Sequence, residues 1–177
     1  MSQLSFFLSI AYSIIAWSVV ASRFIWPRLR FLRRSDALRP LLIVHAFRFV
    51  GLAFLVPGVV SPDLPAGFAH PAAYGDIIAA TLALLTLATP ERLSIVVAWV
   101  FNLWGFAELV ADFYQANRTG LLPQQLGAAF FIPTVVVPLL LITHVLMFRI
   151  LVQRRSDRVH RDVRAMTAPP TGRGLNG

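Results

Sequence analysis

Cysteine and lysine are both absent from the 177-residue chain, and only 14% of its residues are charged. Without cysteine there are no disulfides, thiolate metal sites, iron–sulfur clusters or cysteine nucleophiles, and no guide to redox compartment. Enzyme signatures are missing too. There is no P-loop, no G-x-G-x-x-G, no G-x-S-x-G and no H-E-x-x-H, and no serine stands beside a histidine. The sequence thus leans away from an enzyme, and no motif requires a cofactor. Internal repeats are not evident, which disfavours an inverted-repeat transporter within one chain. What is present is apolar: 57% of residues are hydrophobic and the mean hydropathy is +0.70. Soluble domains are about 45–50% apolar and about 25% charged, so a soluble globular fold is disfavoured. The same composition excludes disorder for most of the chain.

A spanning helix needs roughly 20 apolar residues, because each rises about 1.5 Å through a core about 30 Å thick. Five stretches suit this: about 4–22, 41–60, 72–89, 93–113 and 127–152. Their backbone polar groups must be satisfied within each segment, and barrel-type alternation is absent, so they read as helices. The expected fold is an all-α integral membrane protein, a five-helix bundle over residues 1–152 with a basic, partly disordered cytoplasmic tail over 153–177.

Sixteen arginines against eight acids give a net charge of +8, and their placement sets the orientation. Six lie in 23–39, one at Arg92 and seven from Arg149 onward; the opposite connections, 61–71 and 114–126, hold only Arg118. The positive-inside pattern places the arginine-rich side in the cytoplasm and the N-terminus outside, in a bacterial inner membrane. A cleaved signal is disfavoured because no positive charge precedes the first apolar run and six arginines follow it. Topology alone accounts for most of these arginines. Anionic lipid headgroups are their expected partners at about 1 kcal/mol each. Arg154, Arg155, Arg158, Arg161 and Arg164 recur at helix-like spacing without interleaved aromatics, which speaks against nucleic acid. A homo-oligomer or a partner membrane protein remains compatible with the sequence.

Ionisable residues inside the spans mark functional sites by default, because each costs several kcal/mol there. The second span carries His45 and Arg48, the third Asp76, the fourth Asn102, Glu108 and Asp112, and the fifth His144 below Pro133 and Pro138. On a helical wheel Asn102, Gly105, Glu108, Leu109 and Asp112 share one wedge about 120° wide. By depth the groups divide into a basic inner layer (His45, Arg48, His144) and an acidic outer layer (Asp76, Glu108, Asp112). Arg48, Asp76, Asn102, Glu108, Asp112 and His144 are therefore the candidate buried binding residues.

Three chemistries suit this arrangement. One is purely structural: Arg48 pairs with Glu108 or a backbone carbonyl, and Asn102 and His144 hydrogen-bond across helices, such interhelical pairs averaging about 0.6 kcal/mol and specifying packing. Another is a pathway or pocket for a small solute, ion or proton. The third is a b-type haem held by His45 and His144, with Arg48 on a propionate. An outer cation site from His70, Asp76, Glu108 and Asp112 has suitable donors but no dense ligand motif. Before the third span, Pro62, Pro65 and Pro71 are expected to hold 61–71 extended. Phe68 then docks as part of a lid, and Asp76 caps the helix start.

Four motifs carry a family likeness: Arg48-x-x-Gly51; Leu-Pro-x-x-Phe-Ala-x-Pro-Ala over 64–72 followed by Gly75-Asp76; Asn102-x-x-Gly105-x-x-Glu108-Leu109; and Pro133, Pro138 and His144. Over about residues 41–150 the chain resembles a family of small, uncharacterised bacterial multi-spanning membrane proteins with no assigned activity. Ala73 stands where that pattern has glycine, and Glu108 where it has aspartate. The resemblance implies that these residues form one site.

Overall fold

Apolar runs make the helices of this protein, and its prolines decide where they bend. The structure, a computed structural model, describes residues 3–153. It is all-helical, and five helices are long and apolar enough to cross a membrane: α1 (Gln3–Leu29), α2 (Arg34–Leu55), α3 (Ala66–Ala88), α4 (Glu91–Arg118) and α5 (Ile132–Val152). A short 3-10 helix, Pro123–Phe130, joins α4 to α5. The tail arginines from Arg154 onward, with their expected helix-like spacing, lie outside the described residues.

Two π turns interrupt the α pattern, Ala21–Ile25 in α1 and Ile132–Val136 in α5. Each runs up to a proline, Pro27 or Pro138. Proline lacks an N–H and crowds the carbonyl four residues earlier, and a wider turn absorbs that defect. The C-terminal part of α2, Arg48–Leu55, is a 3-10 helix. Its period of three eclipses side chains at i and i+3. Arg48, Gly51 and Phe54 therefore form one column, and they are the buried residues of this segment.

The helix limits depart from the sequence expectation in a consistent way. The segment from Ala66 is helical, so residues 66–71 are not an extended lid, and Asp76 lies well inside α3 instead of capping its start. Pro65 occupies the N-cap, where no N–H is needed, and Pro71 falls in the second turn. Phe68, Ala69, Ala72 and Ala73 bury the face that this early start creates. Similarly, α2 begins at Arg34 and runs through Pro40, with Arg33 before it extended at ψ 154°.

α3 sits centrally, packed on both α2 and α4, and its buried face is mostly Ala and Gly. Small residues let neighbouring backbones approach closely. α1 is peripheral. It packs along α5, and Trp17 Nε1 donates to the Val135 carbonyl at 3.2 Å. Two apolar clusters form the core. One, around Leu38, Leu42, Ala83, Phe101 and Met147, lies toward the arginine-rich end; the other, around Phe54, Phe68, Leu126 and Phe130, lies toward the opposite end. Along α2, α3 and α4 the buried charged and polar residues fall at the inner edges of these clusters.

Each end of the bundle is tied. At the arginine-rich end Glu91 accepts from Arg33 at 2.9 Å and from Ser35 Oγ at 3.0 Å, Arg34 reaches the Gln153 carbonyl at 2.6 Å, and Arg149 stacks 3.9 Å over Trp26. At the other end Ala128 N donates to Val59 O at 2.8 Å, and Ser61 N donates to Gln125 O at 2.9 Å. Gly127 permits that pairing. Its φ is +52°, and a side chain there would run into the Val59 carbonyl.

Candidate functional site

Arg48 organises the interior. It is 1% exposed, and its guanidinium engages two other helices. Nε donates to Asp76 Oδ1 at 2.6 Å, Nη2 to Glu108 Oε2, and Nη1 to the Gly105 carbonyl at 3.2 Å. The planar fork of arginine suits such divided engagement, where lysine offers a single point of charge. The expected basic and acidic layers are thus not separate, since Arg48 bonds directly to both carboxylates. Starting α3 ten residues before Asp76, together with the 3-10 pitch of α2, brings them level.

Toward the arginine-rich end follow the two histidines, both 0% exposed. Asn102 Nδ2 donates to the His144 carbonyl at 3.4 Å, which turns Asn102 Oδ1 to the ring and makes His144 Nδ1 the donor at 2.7 Å. The Thr143 hydroxyl donates to the carbonyls of its own helix, Leu139 or Leu140, at 2.9 Å each. Its oxygen is left to accept from His45 Nε2 at 2.9 Å. Each ring therefore carries its hydrogen on the bonded nitrogen and keeps a lone pair on the other. Among the described residues those two nitrogens, His45 Nδ1 and His144 Nε2, have no hydrogen-bond partner, and Glu108 Oε1 has no donor, although the Asp112 carboxylate lies within side-chain hydrogen-bonding reach of Glu108. Among the described residues these three are the buried side-chain polar atoms without a partner, and all three are acceptors in one stack.

Glycines make the close approach feasible. A side chain at Gly51 of α2 would strike the Asp76 carboxylate of α3. A Cβ at Gly75 of α3 would sit 2.5 Å from Glu108 Oε1 of α4. One at Gly105 of α4 would sit 2.8 Å from His144 Cε1 of α5 and 3.1 Å from Arg48 Nη1. Each glycine thus seats a polar side chain from the next helix.

Beyond Asp76, toward the arginine-poor end, a cavity of about 330 Å³ opens between α1 and the rest of the bundle. Asp76 and Asp112 are its acidic residues, Gln3 and Asn117 add polar groups, and aromatic and aliphatic side chains make the remaining wall. On α4, Asn102, Gly105 and Leu109 are buried and Glu108 and Asp112 half-buried, whereas Val100, Trp104 and Ala107 on the far side are exposed.

Arg48, Asp76, Glu108, Asn102 and His144 thus form one connected region, with His45 beside it and Asp112 at the cavity. His70 is exposed and stacks on Tyr74 at 6.0 Å, away from the acids. No group of three or more His, Asp or Glu among the described residues is placed to hold a metal ion. The histidines do not fit a haem. Their ring centroids are 4.3 Å apart, in direct contact, and a macrocycle ligated by both would have to lie between them. Sequence reasoning missed Thr143, whose signal was its position beside His144. Of the phenylalanines in the cavity wall it singled out Phe68 but missed Phe6, Phe7, Phe54 and Phe113, which look no different in sequence from exposed ones.

Fold and site together define the class: a small helical bundle of five potentially membrane-spanning helices, with an arginine clasped by two carboxylates at its centre. Within that class the chain belongs to the family described as domain of unknown function DUF8737, which it matches over residues 5–152. The match contains every residue of the buried stack and agrees with the likeness to an uncharacterised family. No curated protein and no solved structure matches the chain.

Proposed function

We propose that the protein is a multi-pass bacterial inner-membrane protein, with its N-terminus outside and C-terminus in the cytoplasm, whose buried stack binds and passes a proton. The observation that carries this is the set of buried acceptors without a donor, Glu108 Oε1, His144 Nε2 and His45 Nδ1, in a bundle whose cavity is lined by Asp76 and Asp112. A buried acceptor without a donor is costly, and a mobile proton is a species that satisfies several in turn. Insertion is supported by the outer faces, where Ile15, Phe47, Leu85, Val100 and Val145 stand exposed. Apolar surface on that scale is unsuited to water.

The flux is tested in proteoliposomes loaded with a pH-sensitive dye. An imposed potential is expected to acidify vesicles containing the protein, and a rate equal to empty vesicles would overturn the proposal. Orientation has a separate test that exploits the absence of native cysteine. Asp63→Cys and Phe31→Cys lie at opposite ends of the bundle, both exposed. A membrane-impermeant maleimide added to intact spheroplasts is expected to label residue 63 and spare residue 31; the reverse pattern would invert the topology.

A second reading has its own observation. Arg48 joins α2, α3 and α4 through one guanidinium, as a structural clasp in an interaction subunit would. It requires no proton movement.

A further inference from the structure

The cavity beside the stack has a composition that the proton pathway does not use. Its volume, about 330 Å³, exceeds what a proton or a chain of waters needs and falls in the range of small-molecule pockets, about 300–1,000 Å³. Phe6 and Phe7 of α1, Phe54 of α2, Phe68 of α3 and Phe113 of α4 supply an aromatic lining from four helices. Among the described residues the ionisable groups within it are Asp76 and Asp112, and no arginine or histidine lines it. Arg48 lies behind Asp76, committed to Asp76 Oδ1, Glu108 and the Gly105 carbonyl. Glu108, whose side chain is 9% exposed, lies one turn from Asp112 on α4, behind the cavity wall.

We propose that this cavity is a binding site for a small amphipathic organic cation, an ammonium carrying an aromatic or alkyl body. Other ligand classes suit the cavity less well. Carboxylates in an apolar wall repel anions. A neutral hydrocarbon would strip water from two carboxylates and return nothing. For a bare metal ion, no group of three His, Asp or Glu is assembled among the described residues. An organic ammonium meets the carboxylates with its charge and the phenylalanine faces with both its charge and its body. Asn117 and Gln3 stand by to bind any hydroxyl or carbonyl it carries. The site rests on the proposed function only in lying at the head of the same stack.

The test uses the full-length protein in phosphatidylglycerol nanodiscs with benzyltrimethylammonium as probe and neopentylbenzene, its uncharged carbon isostere, as competitor. Saturable binding of the probe is expected, with the isostere at least tenfold weaker. Asp112→Asn is expected to weaken the probe at least tenfold at unchanged melting temperature, while Glu91→Gln, on the distant arginine-rich surface, leaves it unaltered. Equal binding of probe and isostere, no saturable binding, or an Asp112→Asn variant with full affinity would each overturn the proposal. Displacement of the probe by added phosphatidylethanolamine but not by a soluble amine would assign the site to a lipid headgroup and overturn it as well. Proton flux is read on the same preparation without probe. Flux without probe binding overturns this inference alone, and probe binding without flux overturns the proton pathway alone.

Discussion

Arg48→Met is expected to cost the protein about 3–5 kcal/mol, enough to prevent accumulation of folded material, because it strands buried carboxylates without their counter-charge. Asp76 and Glu108 would both remain, with side chains only 8% and 9% exposed. Arg48→Lys is expected to rescue little, since one ammonium cannot reach two carboxylates and the Gly105 carbonyl together. The informative variant is the charge-free triple, Arg48→Met with Asp76→Asn and Glu108→Gln. Replacing a complete buried ionic set is often neutral or stabilising, so the triple should recover most of the lost stability. Thermal unfolding of detergent-purified protein, followed by size-exclusion recovery, separates these cases. An Arg48→Met protein as stable as the unaltered chain would show that the clasp has little energetic role.

Glu108→Gln is expected to lower proton flux about a hundredfold, the usual scale for removing one proton-transfer group, while the fold survives. The charge count explains the survival. One arginine facing Asp76 alone is balanced, and a glutamine carbonyl at 108 still accepts from Arg48 Nη2. The two proposed functions divide on this variant. Under the proton pathway the rate per folded molecule collapses and melting temperature hardly moves. Under the clasp, melting temperature falls and whatever flux exists stays constant per molecule.

Much of the architecture was legible because membrane-type helices announce themselves through long apolar runs, and the arginines mark one end of the bundle. Helix limits were harder to read. Pro65 and Pro71 look like breakers in a linear sequence, but Pro65 sits at the N-cap, where no N–H is needed, and burial of Phe68 and Ala72 favours continuing the helix through Pro71 despite its missing N–H. The column of Arg48, Gly51 and Phe54 was invisible for another reason: an α-helical wheel separates residues that a 3-10 segment aligns. Candidate site residues could be named, since any ionisable group among apolar neighbours stands out. Some partners could be named as well, since Arg48 with Glu108 or a backbone carbonyl, and Asn102 and His144 bonding across helices, are what charge and amide chemistry suggest. The bond from Arg48 to Asp76 could not, because depth estimated from residue counting assumed that α3 begins near residue 72. His45 and His144 were expected at similar depth, yet only packing reveals that their rings touch and leave no space for a cofactor between them.

The glycines that seat polar side chains across helix boundaries have a consequence for how this interior can change. At Gly75 a methyl group and the full length of Glu108 compete for the same volume. Gly75→Ala alone therefore overfills the space, and Glu108→Asp alone leaves a gap beneath Arg48. Made together, the two changes conserve volume and charge. Their stability effects should be non-additive by about 0.5–3 kcal/mol, with the double variant better than the sum of its parts. The same interlock holds between Gly51 and Asp76, where no shorter acid exists to compensate. The buried stack is thus built from volume-coupled pairs, so that a change at one member is expected to be accepted only with a matching change at the other.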